Sequence, residues 1–160
     1  MGSDIELREL VGLAEMRSMR PLIQQSNPEL DEATFEARLA LMLEAGGYRC
    51  VAAYRDGAMV GVSGFWTGVA LWCGRYVEPD NVVVDQAQRS AGIGARLMAW
   101  IEAEAERLGC EIVKLETYAA RTRTRAFYRR EGYEEPGVVM IKVLPAGQKT
   151  AAALRAKASS

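Results

Sequence analysis

Apolar and polar positions change period several times along this chain, and each change marks an element. Ile5 and Leu7 alternate with Glu6 and Arg8, which predicts a short strand. Residues 13–25 read as a helix with Leu13, Met16 and Ile23 on one stripe, interrupted at Asn27-Pro28. Asp31 can cap a second helix whose Phe35, Leu39, Met42 and Leu43 recur at helical spacing until Gly46-Gly47 stops it. From Tyr48 the pattern becomes strand-like: residues 48–54 and 58–67 are joined by Arg55-Asp56-Gly57, a hairpin turn. Residues 77–84 form a third long strand, in which Pro79 demands an edge position, a bulge or a late start. A polar turn then opens a helix to Leu108, with Ile93, Leu97, Trp100 and Ile101 on one face. A strand over 112–117, a helix over 122–131 and a last strand over 138–143 complete the pattern. The Ala- and Lys-rich tail over 145–160 has few large apolar groups and is expected to be mobile. The order describes one α/β domain over residues 1–144.

Composition narrows the classes. With 160 residues, 49% of them apolar and 26% charged, the chain suits one soluble globular domain. A net charge of −1 creates no field that would gather nucleic acid or an acidic membrane. No run approaches the ~20 apolar residues of a span. The acidic start lacks a signal peptide's pattern, so the expected location is the cytoplasm. Three cysteines without metal-like spacing and no histidine argue against a disulfide framework, a metal site and a histidine-based triad. Any general base must then be a carboxylate, a tyrosine, a lysine or a relayed water.

The densest chemical signal lies between Val82 and Arg96. The strand Val82-Val83-Val84 is followed by Arg89-Ser90-Ala91-Gly92-Ile93-Gly94 and then by Ala95, Arg96 and the long helix. A helix start leaves backbone N–H groups free and carries partial positive charge, so it attracts phosphates. Glycines there let the main chain approach, and Arg89 and Arg96 can add charge-assisted contacts. A P-loop would need Gly-Lys-Ser/Thr, whereas Ala95-Arg96 follows Gly94; a dinucleotide fingerprint would need a small residue where Leu97 stands.

Here the chain resembles the GCN5-related N-acetyltransferase (GNAT) family. Arg89-x-x-Gly92-x-Gly94 matches the family's Gln/Arg-x-x-Gly-x-Gly/Ala signature. Phe127-Tyr128-Arg129-Arg130-Glu131-Gly132-Tyr133 resembles its second, aromatic motif. The resemblance covers roughly Tyr48 to Val143. It implies a mixed, strongly twisted sheet flanked by helices, with central strands splayed into an acyl-CoA cleft. It also implies acetyl-CoA as co-substrate, a pantetheine arm along Val82–Val84 and pyrophosphate on residues 89–94. Tyr128 matches the tyrosine that donates to the CoA sulfur, and Glu78, eleven residues before Arg89, has the spacing of a family glutamate base. The family's usual asparagine near Arg121 is missing.

The residues leave several roles open. Asp80 shares a strand face with Glu78 by the period-two rule and could also reach the cleft, while the expected pair is Tyr128 as acid and Glu78 or a relayed water as base. Glu116 is a third candidate carboxylate. Trp66, Trp72 and Tyr76 are candidates for an acceptor pocket, while the arginines between 121 and 130 read as a solvated helix face. The expected activity is direct acetyl transfer to a primary amine of a small molecule or protein. Its rivals are a CoA-binding sensor without catalysis and a transferase of another acyl group. No nucleic acid or membrane partner is expected, and a homodimer is left open.

Overall fold

The computed structural model describes residues 4–89 and 91–159. Its contacts divide the chain into two compact units, Met1–Leu115 and Glu116–Ser160. The first begins with β1 (Glu6–Leu10), α1 (Gly12–Met16), α2 (Arg20–Ser26) and α3 (Glu32–Ala45), and continues through β2 (Tyr48–Arg55), β3 (Ala58–Ala70) and β4 (Gly74–Val84). It ends with α4 (Ile93–Arg107) and β5 (Ile112–Val113). Three antiparallel pairings and one parallel pairing order the mixed sheet β1-β2-β3-β4-β5.

Local chemistry accounts for the boundaries. The Asp31 carboxylate accepts from the Thr34 N–H at 2.8 Å and starts α3. Asp56 and Gly57, both at positive φ, turn β2 into β3, a geometry that matches strand twist. The single helix expected over 13–25 is broken by a tighter turn at Arg17–Met19. The third strand begins at Gly74, earlier than expected, because its first residues pair with the far end of β3.

Helices cover both sheet faces. Leu10, Met16, Ile23, Phe35, Leu39 and Tyr48 bury one face beneath α1–α3, and Val51, Phe65, Val77, Ile93, Leu97 and Ile101 bury the other beneath α4. Arg49 fastens β1 and β2 to α4, reaching Glu9 at 2.7 Å and Glu104 at 2.5 Å. Glu104 is held down to about 2, first by Arg107 and then by Arg49.

Two irregularities set the course of β4. Val62 pairs with Val83 and Gly64 with Asp80, so β4 carries an extra residue between them, and Asn81 takes the left-handed conformation at φ 53°. The bulge inverts the alternation: Val77 faces α4, yet Val83 lies beneath α1–α3. The second irregularity is Pro79. The parallel ladder with β5 ends after Tyr76–Ile112 and Val77–Val113, where the Lys114 N–H donates to the Val77 carbonyl at 3.0 Å. By strand alternation the next rung would need the amide hydrogen of residue 79, which proline lacks. Beyond that point β4 runs on to Val84 without β5, and an open edge results.

The second unit contains α5 (Thr122–Arg130) and α6 (Gln148–Ala158). The strand expected over 138–143 does not form: these residues have no strand pairing, and Val138, Met140 and Ile141 are exposed. A β-branched run needs a partner edge, and it has none here. The tail beyond residue 145 is largely helical.

Candidate active site

The turn before α4 is anchored at several points. Asp85 accepts from the Ala87 N–H at 3.0 Å, the Gln86 N–H donates to the Gln25 side chain at 3.1 Å, and Arg55 holds the Gln88 side chain. Gly92, the residue before the helix, sits at φ 72°, where a Cβ would be strained although no atom stands within 4 Å of it. The first intrahelical bond of α4 runs from the Arg96 N–H to the Gly92 carbonyl at 3.1 Å. The N–H groups of Ile93, Gly94 and Ala95 therefore have no intrahelical acceptor. Together with the helix dipole they make the start of α4 attractive to an anion. Arg89 and Ala91 are exposed on this turn, and Ser90 lies outside the described residues. Arg96 has a structural bond as well: its guanidinium donates to the Ile5 carbonyl at 2.8 Å and ties α4 to the start of β1. Ile93 is buried and anchors the helix start.

The open edge of β4 runs toward this helix start. Of its valines, Val83 is buried beneath α1–α3, Val84 packs on the α4 side, and Val82 is half-buried beside the bulge.

The two candidate carboxylates of β4 differ sharply. Glu78 pairs with Lys114 Nζ at 3.0 Å, where β4 and β5 part. Asp80 has another environment. Burial pushes its carboxyl above the ordinary value, opposed by the Trp66 indole and the Asn81 N–H, which donate to it, and reinforced by the nearby Glu78 charge. No cation contributes. Asp80 pairs across the ladder with Gly64, and a Cβ on Gly64 would overlap the Tyr48 hydroxyl. Tyr48 thus lies over the glycine and close to Asp80, whose charge joins burial in raising the phenol. Tyr48 and Trp66 also pack ring to ring at 5.1 Å.

Tyr48 and Asn81 line a cavity of about 160 Å³ beneath α2 and α3, walled by Ile23, Leu30, Phe35 and Met42. Neither Tyr48 nor Asn81 stands out in the sequence. Only asparagine's tolerance of the left-handed conformation could have flagged the bulge.

The expected aromatic trio is not brought together. Trp66 contacts Asp80, but Trp72 is 75% exposed in the β3–β4 turn, past the end of β3 at Ala70, itself four strand positions or roughly 13 Å beyond Trp66. Tyr76 stacks under Lys114 at 4.5 Å and lines a separate cavity with Thr67, Arg75, Leu108 and Cys110, at the far end of α4.

In the second unit, Tyr128 is buried between the rings of Phe127 and Tyr133 at 5.1 and 5.6 Å, and burial pushes its phenol up to about 12. Arg125 and Arg129 both bind Glu135, which they hold down to about 2. Glu116 is exposed. The three cysteines are free, and burial pushes Cys50 up to about 12. Among the described residues, no group of three or more His, Cys, Asp or Glu is placed to hold a metal ion, and no helix is long and apolar enough to cross a membrane.

The fold and the sequence have counterparts among known proteins. A family model described as "Acetyltransferase (GNAT) family" matches residues 14–133, and the chain belongs to that family of acyl-CoA-dependent acyltransferases. It is 33% identical over 120 residues to aminoalkylphosphonate N-acetyltransferase of Salmonella typhimurium, covering 72% of this chain and 76% of that protein. Blasticidin-S acetyltransferase of Streptomyces morookaense is 32% identical over 114 residues, covering 71% of this chain and 81% of that one. Among solved structures, aminoglycoside N-acetyltransferase AAC(6')-Iy in complex with CoA shares the fold at a TM-score of 0.75 and 19% identity, over 91% of this chain and 97% of that one.

Proposed function

We propose that this protein transfers an acetyl group from acetyl-CoA to a primary amine of a small molecule within one ternary complex. Asp80 takes the proton that the amine must lose. The observation that carries this reading is the half-buried Asp80 carboxylate, raised and without a cation, beside a cavity and on a strand with an open edge. An ammonium entering there meets an uncompensated negative charge. It becomes a nucleophile once Asp80 accepts its proton. The nitrogen then bonds to the acetyl carbon as the carbon–sulfur bond breaks, and the second proton it sheds on becoming an amide passes to the departing thiolate, which leaves as a thiol. The proton balance closes when Asp80 returns its proton to solvent.

The free N–H groups at the start of α4, with Arg89 beside them, suit the donor's pyrophosphate, and the unpaired edge of β4 suits its amide-bearing arm. Tyr128 enters through its aromatic motif. A phenol near 12 surrenders its proton reluctantly to a thiolate, whose ordinary value is about 8.5, so its role here is hydrogen-bond donation to the sulfur. Buried Cys50, lacking an activating base, speaks for direct transfer over an acyl-cysteine. Curated relatives named for small amine acceptors support a small-molecule substrate. Three unpaired thiols suit a cytoplasmic setting.

Thiol release with a panel of small amines is the test. Turnover should rise with pH through the raised value of Asp80. The Asp80→Asn variant should lose about 10²–10⁴-fold in kcat with little change in the KM for acetyl-CoA. Undiminished kcat in Asp80→Asn would remove the base role, and no thiol release with any amine would remove the activity.

A further inference from the structure

The cavity beside Asp80 carries one charged side chain in its wall, and that side chain has no partner. Arg38, on α3, lines the cavity together with Ile23, Leu30, Phe35, Met42 and Tyr48. Its neighbours along the helices are paired: Arg17 binds Glu36 at 3.0 Å and Arg20 binds Glu32 at 3.1 Å. Among the described residues the Arg38 guanidinium has neither an ion pair nor a hydrogen bond. Arg38 is exposed, so water meets its donors beside the apolar walls, and the fork is free to exchange that water for an oxyanion. The strand side of the same cavity is built differently. Asn81 and Tyr48 line it, and the Asp80 carboxylate stands next to them. The space thus has a cation in its helical wall and, next to the Tyr48 and Asn81 of its strand wall, the Asp80 carboxylate, with aliphatic and aromatic side chains elsewhere. At about 160 Å³ it falls below the ~300–1,000 Å³ of drug-sized sites and suits a small molecule.

We infer that the acceptor is a small amine carrying an anionic group, a carboxylate or phosphonate, which Arg38 binds while the amino group faces Asp80. This rests on the acetyl-transfer reading above and adds the acceptor's second end. A plain alkylamine satisfies Asp80 and leaves Arg38 solvated. A diamine brings a second positive charge toward Arg38 and is disfavoured. A small amino acid or aminophosphonate satisfies both. Arg38 is then a specificity-determining residue, and its contribution should appear in the choice among amines.

The experiment compares β-alanine and aminomethylphosphonate with propylamine and putrescine, by thiol release and by thermal shift of the CoA-saturated protein. The anionic amines should exceed propylamine in kcat/KM by at least about tenfold. In Arg38→Met that preference ratio should fall about ten- to hundredfold, mainly through KM, the scale of one charge-assisted contact. Arg38→Lys should recover part of it, since the charge stays and the fork is lost. Unchanged preference in Arg38→Met would overturn the inference while leaving the acetyl-transfer reading intact, as would a wild-type preference for propylamine or putrescine. The opposite failure is separable. If no amine is acetylated, yet the anionic amines stabilise the CoA-bound protein through Arg38, the site stands and the catalytic reading falls. Neither turnover nor a thermal shift with the anionic amines would also overturn it.

Discussion

Asp80 is an ionisable group placed where ionisation is costly, and the role proposed for it and its energetics point in opposite directions. Its raised value means that the folded protein holds the Asp80 proton more tightly than the unfolded chain does. As pH climbs from the ordinary aspartate range to that higher value, the unfolded chain has already released the proton while the folded state has not. Stability therefore falls across this window, and the loss persists at neutral pH. Asn at this position keeps an oxygen for the Trp66 and Asn81 donors without the charge. Asp80→Asn is thus expected to melt above the wild type at pH 7, with the difference shrinking as pH is lowered through the window. Thermal unfolding at several pH values checks this, and a lower Tm for the variant at every pH would contradict it. A gain in stability with a loss of turnover is the pattern of a residue kept for chemistry.

At the scale of elements, the close approach of β3 to α4 sets where the turn proposed to bind the donor stands. Gly61 has no side chain because a Cβ there would meet Ile93 Cγ2 at 2.7 Å and Leu97 Cδ1 at 3.2 Å. Ile93 belongs to the first turn of α4, so displacing it displaces the N–H groups proposed to hold the pyrophosphate. Gly61→Ala is expected to lose about 1–3 kcal/mol of stability and to weaken acetyl-CoA binding at the same time. Denaturant melts and a CoA titration read the two effects separately. A stability loss with unaltered CoA affinity would show that α4 adjusts without moving its start. Such features divide what periodicity reveals from what it hides. The strands from Glu6 to Val84 and the helices α3 and α4 were legible because each buries an apolar stripe at its own period. Asp31, Asp56-Gly57 and Gly92 were legible because caps and turns have local chemistry. Pro79 announced an irregularity without saying which. The bulge at Asn81, the parting of β4 and β5, and the neighbourhood of Tyr48, Arg38 and Asp80 depend on which strands pair, and no local pattern records that. Residues 138–143 failed for the complementary reason, since their strand-like sequence meets no edge.

On the scale of the whole molecule, the apolar core is unevenly shared between the two units. Met1–Leu115 holds both apolar clusters, one on each face of the sheet, including Phe65, Leu39, Ile93, Leu97 and Ile101. Among its described apolar residues, Glu116–Ser160 buries only Tyr128 and Ala151, and leaves Val138, Met140, Ile141 and Leu144 exposed. A segment this short, with one buried aromatic and neither a disulfide nor a metal cluster among the described residues, falls short of what independent folding needs. Expressed alone, residues 116–160 should show no cooperative melt, their helices fraying as isolated short helices do. Residues 1–115 alone should melt cooperatively, with an unfolding enthalpy near ~80 kcal/mol at about 0.7 kcal/mol per residue. Calorimetry of the two fragments decides the matter. A cooperative transition in the short fragment would show that the aromatic cluster around Tyr128 is a sufficient core. A featureless trace from the long one would mean that the sheet, despite its two covered faces, does not stand without the residues beyond β5.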